Sequence, residues 1–407
     1  MRLLLVLQTL LLFAAPGFAG VPVHVVLVVV DGLGADGASA RDLPRLHAFV
    51  AESGGSWSHA RAVLPTRTNP NHVSLLTGVH PEAHGIVGNK YWDADRRALR
   101  ATDRPQLLEM ETLFTSIAAD RPALRTAAFL SKSKLRRLFS PEPGRQAGPN
   151  LAWSPSEADL TDARVVAAAG SLLAVQPAHF AVITIAEVDH TAHRFGPDAP
   201  ETRAAVLRVD ELLAGLLRTW AAQPSWRRTL VLLTADHGFT SVTAARGVPL
   251  APSAGAPGRS YVAEGGMAFV HLRPTAGPVG EVAAEEAMRP GVAAVVHDLA
   301  RLHLAHPRAG ALLLLAEPGR TFVQSVDDPT LGFLGNHGGV ENQDVPFVVV
   351  GGLPGLRKLA EDVSVSVVDV VPTVAAILGV RLPARLDGTP VPPGSAGRVL
   401  PLFGADS

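Results

Sequence analysis

Four stretches of the chain are apolar at nearly every position and rich in Val, Ile and Leu: Val23 to Val30, Phe180 to Ile185, Thr229 to Leu233 and Val345 to Val350. A strand with one wet face alternates apolar and polar side chains, whereas a continuous apolar run suits a strand of a parallel sheet covered on both faces. Between and after these runs the apolar positions recur with helical spacing, over Glu111 to Ala119, Ala163 to Val175, Glu201 to Trp220 and Asp369 to Leu378. The alternation predicts an α/β fold: a doubly wound, mostly parallel sheet with helices on both faces. The pattern is interrupted from about Gly247 to Gly335, where Gly and Pro are frequent and the apolar runs Met267 to Leu272 and Ala311 to Leu315 are short. That stretch, approximately 247–335, reads as a smaller inserted subdomain or cap within one domain spanning 21–407. Neither a fixed-period repeat nor a low-complexity tract breaks the rest.

Residues 1–20 carry Arg2, then a mostly apolar run from Leu3 to Ala15, then the small residues Gly17 and Ala19. This is the pattern of a cleavable export signal, with cleavage after Ala19. The run is short of the roughly 20 residues that a membrane-spanning helix needs, so the mature chain is expected in the periplasm or outside the cell, with no membrane span. At 407 residues and 47% apolar, the chain can bury one large core or two moderate ones. A formal net charge of -1 gives no broad positive field, so a nucleic-acid polymer is not an expected partner. Cysteine is absent, which removes disulfides, thiolate metal sites and a cysteine nucleophile. Any metal must bind through Asp, Glu, His or a hydroxyl.

Open α/β sheets place ligands beyond the carboxyl ends of their strands. Three of the four apolar runs lead straight into acidic or histidine residues there: Asp31 in VVVDG, Asp189 with His193 in ITIAEVDHTAH, and Asp236 with His237 in LLTADHG. One Asp at a strand end is an ordinary turn residue. Three such ends, two with histidine, form a pattern that turns do not explain. Asp189 and His193 are four apart and share one face if the chain turns helical after the strand, which lets the pair chelate a metal. Asp236 and His237 are adjacent at a glycine turn and can diverge toward two neighbouring ions or converge on one. His337, in LGNHGGVEN, lies in a glycine-rich loop that can return to the same sheet edge. The remaining candidates, His24, His47, His59, His80, His179, His190, His297, His303 and His306, read as surface or satisfied core histidines.

In the segment Leu64 to Asn89, Pro70 suits the first turn of a helix and Asn69 its N-cap. Thr68 would then sit just ahead of a helix N-terminus that favours anions. A metal-coordinated hydroxyl in that place is a competent nucleophile toward phosphorus. By themselves Thr66, Thr68 and Asn69 need do no more than cap the helix; the Asp and His clusters shift the reading to chemistry.

Taken in order, VVVDG, TRTNPNH, TGVHPEAHGIVGN, EVDHTAHRFGP, TADHG, GNHGG, and DVVPTVAAILG with LDGTP resemble the alkaline phosphatase superfamily, within it the nucleotide pyrophosphatase/phosphodiesterase branch. The resemblance implies two zinc ions about 4 Å apart, with manganese or iron also compatible with the ligands. It implies that Asp31, Asp236, His237 and the Thr68 oxygen hold one ion, and that Asp189, His193 and His337 hold the other. Asn89 would donate to a phosphoryl oxygen. Thr68 would attack phosphorus in a small phosphodiester or pyrophosphate substrate, and water would hydrolyse the phospho-threonine.

Two features depart from the nucleotide-cleaving members. Those typically have an aromatic residue after the nucleophile, where this chain has Asn69. The T-N-P-N arrangement and the run FLSKSKLRR, Phe129 to Arg137, resemble phosphonoacetate hydrolase, in which two lysines spaced by one residue hold the substrate; Lys132 and Lys134 match. A monoester or phosphonate is a dianion, and extra ammonium groups favour it over a diester monoanion. The plainer reading makes Lys132, Lys134, Arg136 and Arg137 a solvated basic helix end. The export signal and EVDHTAHRFGP favour the diesterase reading, and Tyr91 and Trp92 could supply a leaving-group surface. A non-catalytic metal-binding pseudoenzyme would be marked by loss of the nucleophile or the phosphoryl donor, and Thr68 and Asn89 are both present. Sulfatases need a Cys or Ser, and related mutases typically use serine, so the threonine context argues against both.

Overall fold

The computed structural model describes residues 23–155, 161–250 and 258–403; the export signal expected over 1–20 lies outside the described residues. An eight-stranded sheet forms the centre, in the order Val365–Ser366, Ser56–Arg61, Asp344–Gly351, Thr229–Thr234, His24–Val30, Phe180–Ile185, Thr126–Leu130 and Leu151–Trp153. His24–Val30 is buried at every position and runs parallel to both neighbours, with Val30 opposite Ile185 and Val29 opposite Thr234. Each such valine or leucine contributes about 1.5–3 kcal/mol on burial, which is why the continuous apolar runs occupy the middle of the sheet. The helix Pro200–Ala221 packs against Pro44–Glu52, Asp162–Val175 and Glu187–Phe195, while Thr68–Thr77 packs against Val370–Leu378 and Leu113–Asp120.

The fourth apolar run departs from the parallel arrangement expected of it. Asp344–Gly351 is antiparallel to both Thr229–Thr234 and Ser56–Arg61. The chain leaves the carboxyl edge of the sheet after Asp236 and comes back to that same edge at His337, so the next strand must run away from it. Burial on both faces dictates an apolar run in either direction, and the pattern therefore carries no information about polarity.

Between these two points the chain builds a second, antiparallel sheet, in the order Arg259–Glu264, Met267–Leu272, Leu312–Ala316 and Val292–Val296. One of its faces has its own apolar cluster, with Val270, Val282 and Leu314. On another cluster Val262, Met267, Phe269 and Leu313 pack with Leu64 and Val87 from the segment that carries Thr68 and Asn89. The second sheet is thereby fixed against the carboxyl edge of the first.

Candidate active site

Adjacent parallel strands deliver their carboxyl ends side by side, and this alone gathers the acidic residues. Asp31 follows His24–Val30, Asp236 follows Thr229–Thr234, and Asp189 sits in the first turn of the helix Glu187–Phe195. Their exposures are 1%, 0% and 3%. Asp162 fixes the start of that helix by accepting Ala186 N and Glu187 N, both at 2.8 Å. Gly32 adopts φ +80, and a Cβ there would lie 2.9 Å from Asp189 Cα, so the close approach of the Asp31 turn to Asp189 requires glycine. Gly32 N in turn donates to Asp236 Oδ1 at 3.1 Å.

The three histidines expected at the site are wired alike. Nδ1 of His193 meets Gly335 O at 3.0 Å, Nδ1 of His237 meets Gly238 O at 3.1 Å, and Nδ1 of His337 meets Thr66 O at 2.6 Å. A carbonyl only accepts, so each Nδ1 carries the proton and each Nε2 presents a lone pair. These Nε2 atoms face carboxylates: His193 is 3.5 Å and His337 3.8 Å from Asp189 Oδ1, while His237 is 3.4 Å from Asp236 Oδ2 and 3.7 Å from Asp31 Oδ1. Lone pair against carboxylate oxygen is repulsive unless a cation lies between. Burial pushes His193 and His237 down to about 4, and pushes His337 well below the ordinary imidazole range, so all three rings are neutral at neutral pH and free to offer Nε2 to a cation.

The carboxylates show the same imbalance. Burial, then Asp189 and Asp236, raise Asp31 well above the usual carboxylate range. Burial also opposes ionisation of Asp189 and Asp236, but the Lys132 ammonium and the imidazoles around Asp189, and His237 and His72 around Asp236, hold both low. Asp31 Oδ1, Asp189 Oδ1, Asp236 Oδ2 and His237 Nε2 are buried with no hydrogen-bond partner. Folded proteins seldom leave several such atoms converging without a ligand. Oxygen and imidazole donors fit divalent ions such as zinc. Two clusters have ligand atoms within 4.8 Å of one another: Asp189, His237 and His337, and Asp31, His72 and Asp236. His237 lies between them, near enough to Asp31 and Asp236 to serve the grouping that the resemblance implies, and His193 stands beside the first cluster through Asp189.

Thr68 is buried and opens the helix Thr68–Thr77, which begins two residues earlier than expected, with Arg67 rather than Asn69 at the N-cap. Asn69 is otherwise engaged. Its Nδ2 donates to Thr102 Oγ1 at 3.0 Å, and its backbone N donates to Asn89 Oδ1 at 2.9 Å. The second bond satisfies a helix-start N–H and turns the Asn89 amide nitrogen, rather than its oxygen, to the cavity that Asn89 lines. The residue after Thr68 is thus part of the framework and not of the cavity wall.

That cavity, about 220 Å³, contains Thr68, Asn89, Lys132, Lys134, Asp189, His193 and His337, and its opposite wall includes Glu264, Phe322, Asp328 and Phe333. A larger cavity, about 480 Å³, lies beyond Gly32 and Phe239, but none of its carboxylates belongs to a metal-capable cluster among the described residues. The two lysines differ. Lys132 Nζ is 2.6 Å from Asp189 Oδ2 and 2.7 Å from Asp31 Oδ2, with hydrogen-bond geometry only to the first. It holds the outer oxygens of two carboxylates whose Oδ1 atoms face the imidazoles, and those carboxylates raise its pKa against the effect of burial. Lys134, only half-buried by surface area, is pushed down to about 8 by desolvation and by Lys132. Neither is a solvated helix end.

Sequence reasoning passed over Arg67, Glu264 and His72. Arg67 donates to Glu264 Oε2 at 3.0 Å and Asn336 Oδ1 at 3.2 Å, tying the N-cap of the Thr68 helix to the second sheet. Its Nη1 also lies 3.2 Å from His337 Nε2, a contact that an ion at that nitrogen would replace. Arg67 and His72 both lie in T-R-T-N-P-N-H, His72 one helical turn beyond Thr68, whereas Glu264 left no signal.

Residues 25–340 match the family described as type I phosphodiesterase / nucleotide pyrophosphatase. The bis(5'-adenosyl)-triphosphatase enpp4 of Mus musculus is 24% identical over 387 residues, covering 88% of this chain and 78% of the relative. Human ectonucleotide pyrophosphatase/phosphodiesterase 5 superposes with a TM-score of 0.71 at 20% identity, covering 88% of this chain and 95% of that one. Phosphonoacetate hydrolase from Sinorhizobium meliloti 1021 in complex with phosphonoacetate superposes with a TM-score of 0.67 at 23% identity, covering 88% and 95%. At these identities the two superpositions establish the fold.

Proposed function

The chain belongs to the type I phosphodiesterase / nucleotide pyrophosphatase family, and on that premise we propose that it is an exported two-metal hydrolase cleaving a small phosphodiester or pyrophosphate through a phospho-threonine on Thr68. The observation that carries the reading is the convergence of three Nδ1-locked imidazoles and unpartnered carboxylate oxygens on one another beside the cavity that contains Thr68, which Asp189, His193 and His337 themselves line. Asp31, Asp236, His237 and the Thr68 hydroxyl would hold one ion, and Asp189, His193 and His337 the other, with zinc the metal best suited to these donors. When bound, such ions act as Lewis acids that make a hydroxyl or water nucleophilic at neutral pH and stabilise charge on a leaving oxygen.

The chain's own groups supply the rest. Thr68 Oγ forms the bond to phosphorus and the leaving group departs with its electron pair on the opposite side. The Asn89 amide nitrogen, held in place by Asn69 N on its oxygen, donates to a phosphoryl oxygen. The amides at the start of Thr68–Thr77 favour the anion. Water then breaks the bond between Thr68 Oγ and phosphorus, releasing phosphate or its monoester and restoring the hydroxyl. In support, a threonine-to-alanine variant of murine ectonucleotide pyrophosphatase/phosphodiesterase 5 is described as inactive and in complex with AMP.

A second reading is a dianion-cleaving enzyme, acting on a phosphate monoester or a phosphonate such as phosphonoacetate. It is favoured by Lys134 at the cavity and by the inward turn of Asn69, which leaves no aromatic beside the nucleophile. In that enzyme Lys132 and Lys134 both count toward a positive site, Lys134 toward the substrate and Lys132 through the carboxylates. The pseudoenzyme alternative has no observation in its favour.

Export, with a periplasmic or secreted product, rests on residues 1–20; among the described residues no helix is long and apolar enough to cross a membrane. We take approximately 247–335 as the inserted cap. The deciding experiment measures zinc-loaded protein on bis-p-nitrophenyl phosphate, p-nitrophenyl phosphate and phosphonoacetate. A preference for the diester is expected; a preference for either dianion would transfer the assignment to the second reading, and no turnover on any, with metal bound, would leave the pseudoenzyme.

A further inference from the structure

His72 stands one turn beyond Thr68 on the same helix and is 2% exposed. Its Nδ1 lies 3.0 Å from Thr68 O and 3.4 Å from Asp236 Oδ2. Both neighbours are acceptors, so the proton resides on Nδ1. A protonated ring nitrogen offers no lone pair to a cation. Although His72 is close enough to Asp31 and Asp236 to complete a metal-capable cluster, the nitrogen that faces Asp236 is therefore a donor and not a ligand. His72 differs in this from His237, whose unprotonated Nε2 faces the same Asp236 Oδ2.

We infer that His72 is a positioning residue: its Nδ1–H donates to the carbonyl of Thr68 while the same edge of the ring lies against the carboxylate of Asp236, fixing the nucleophile's peptide relative to the ion site. The inference rests on the roles proposed above for Thr68 and Asp236. Two backbone elements meet at this imidazole, the start of the helix Thr68–Thr77 and the turn after Thr229–Thr234, and no covalent neighbour links them. Asp236 Oδ1 is already held by Gly32 N, so the rotation left to the carboxylate is limited at Oδ2, which the N–H edge of His72 meets at 3.4 Å. The contact at 3.4 Å falls outside hydrogen-bond geometry and acts as an electrostatic contact of the N–H dipole with the carboxylate, while the hydrogen bond itself goes to Thr68 O. Groups that orient a metal's carboxylate ligand tune the metal nearly as strongly as the ligands themselves.

The test compares His72→Ala, His72→Asn and His72→Gln with the unchanged protein. Zinc affinity is read by chelator competition, and kcat and KM on the ester that the unchanged protein cleaves best. The Ala variant should lose about 10- to 100-fold in zinc affinity, with kcat falling and KM little changed. Asn, whose amide nitrogen can stand where Nδ1 stands, should restore most of both; Gln, which reaches toward the Nε2 position, should restore neither. If the Ala variant does not fold, the Asn and Gln variants, matched by thermal unfolding, carry the comparison alone. An Ala variant with unchanged zinc affinity and kcat, or a Gln variant that recovers as well as Asn, would overturn the inference while leaving the functional reading intact. An unchanged protein that binds no zinc and cleaves no ester would overturn both.

Discussion

The two walls of the candidate site are built by different means. The floor comes from the carboxyl ends of three parallel strands, and its groups are closed off from solvent: Asp236 and His237 are 0% exposed and Asp31 1%. Backbone hydrogen bonds fix the three imidazoles, strand register carries Asp31 and Asp236, and the Asp162-held start of Glu187–Phe195 carries Asp189. The opposite wall comes from the second sheet and the loop that follows it, where Asp328, Thr330 and Phe333 are only partly buried. Asp328 organises that loop by accepting Gln324 N, Thr330 N and Thr330 Oγ1, and Phe333 leans on the His193 ring with centroids 4.5 Å apart. The floor is set by the main chain and the opposite wall by side chains. Under the proposed function, chemistry thus belongs to the part that cannot vary without refolding, and substrate choice to the part that can.

The largest effects should come from the floor. Asp189→Ala and His337→Ala should lose metal and turnover together, whereas Thr68→Ala should keep its metal and lose turnover by several orders of magnitude. Metal analysis alongside rates on the same preparations checks this, and full metal content with unchanged rate in all three would remove the site assignment.

The lysines, between the two walls, should separate next. Lys134→Ala should lower kcat/KM for a monoester or phosphonate about tenfold or more relative to a diester, because it removes a cation that reads the second charge. Lys132→Met should lower both substrates together, since its ammonium engages Asp31 and Asp189 and not the cavity alone. Parallel substrate series on the two variants decide, and identical profiles would erase the distinction.

Acid should weaken the metal-stripped protein through the floor as well as beyond it. Burial holds His193 and His237, and also His80 and His271, to about 4 against 6.5 for the free imidazole. Between those values these four rings bind more protons in the unfolded chain than in the folded one. The stability is therefore complete above about pH 6.5 and is lost as pH falls toward 4, at up to about 1.4 kcal/mol per unit for each group. Thermal unfolding of chelated protein across that range should show Tm falling by several degrees, and a flat profile would refute the burial of these rings.

The smallest effect is expected from the opposite wall. Phe333→Ala should leave metal content unchanged and shift the ratio of kcat/KM between aromatic and alkyl leaving groups by roughly tenfold or less, the range open to one apolar contact. Loss of metal in that variant would mean that the aromatic supports His193 and that the wall is part of the floor.

Much of the floor is legible in the amino-acid sequence. The apolar runs lie where the central strands lie, and Asp189 and His193, four apart, do fall on one helical face, in Glu187–Phe195. The helix over Asp162–Val175 and that over Pro200–Ala221 match their spacing to within a residue. Local convention misleads at Asn69, a good N-cap residue next to Pro70. Its side chain meets Thr102, 33 residues away, and the cap passes to Arg67. Lys132 illustrates the same limit, since no spacing rule reports that an ammonium 57 residues before Asp189 meets its outer oxygen.

The sequence by itself determined which residues are buried, where strands end in Asp and His, and which family the ordered motifs resemble, because burial periodicity and chelating residue types are local properties. Only the tertiary structure decided that Asp344–Gly351 runs backward, that Lys132 reaches Asp31 and Asp189 while Lys134 lines the cavity, and that His72 lies between Thr68 O and Asp236. Each of these depends on which atoms meet across long stretches of chain, and an apolar run or a spacing of charges is the same whichever meeting the fold brings about.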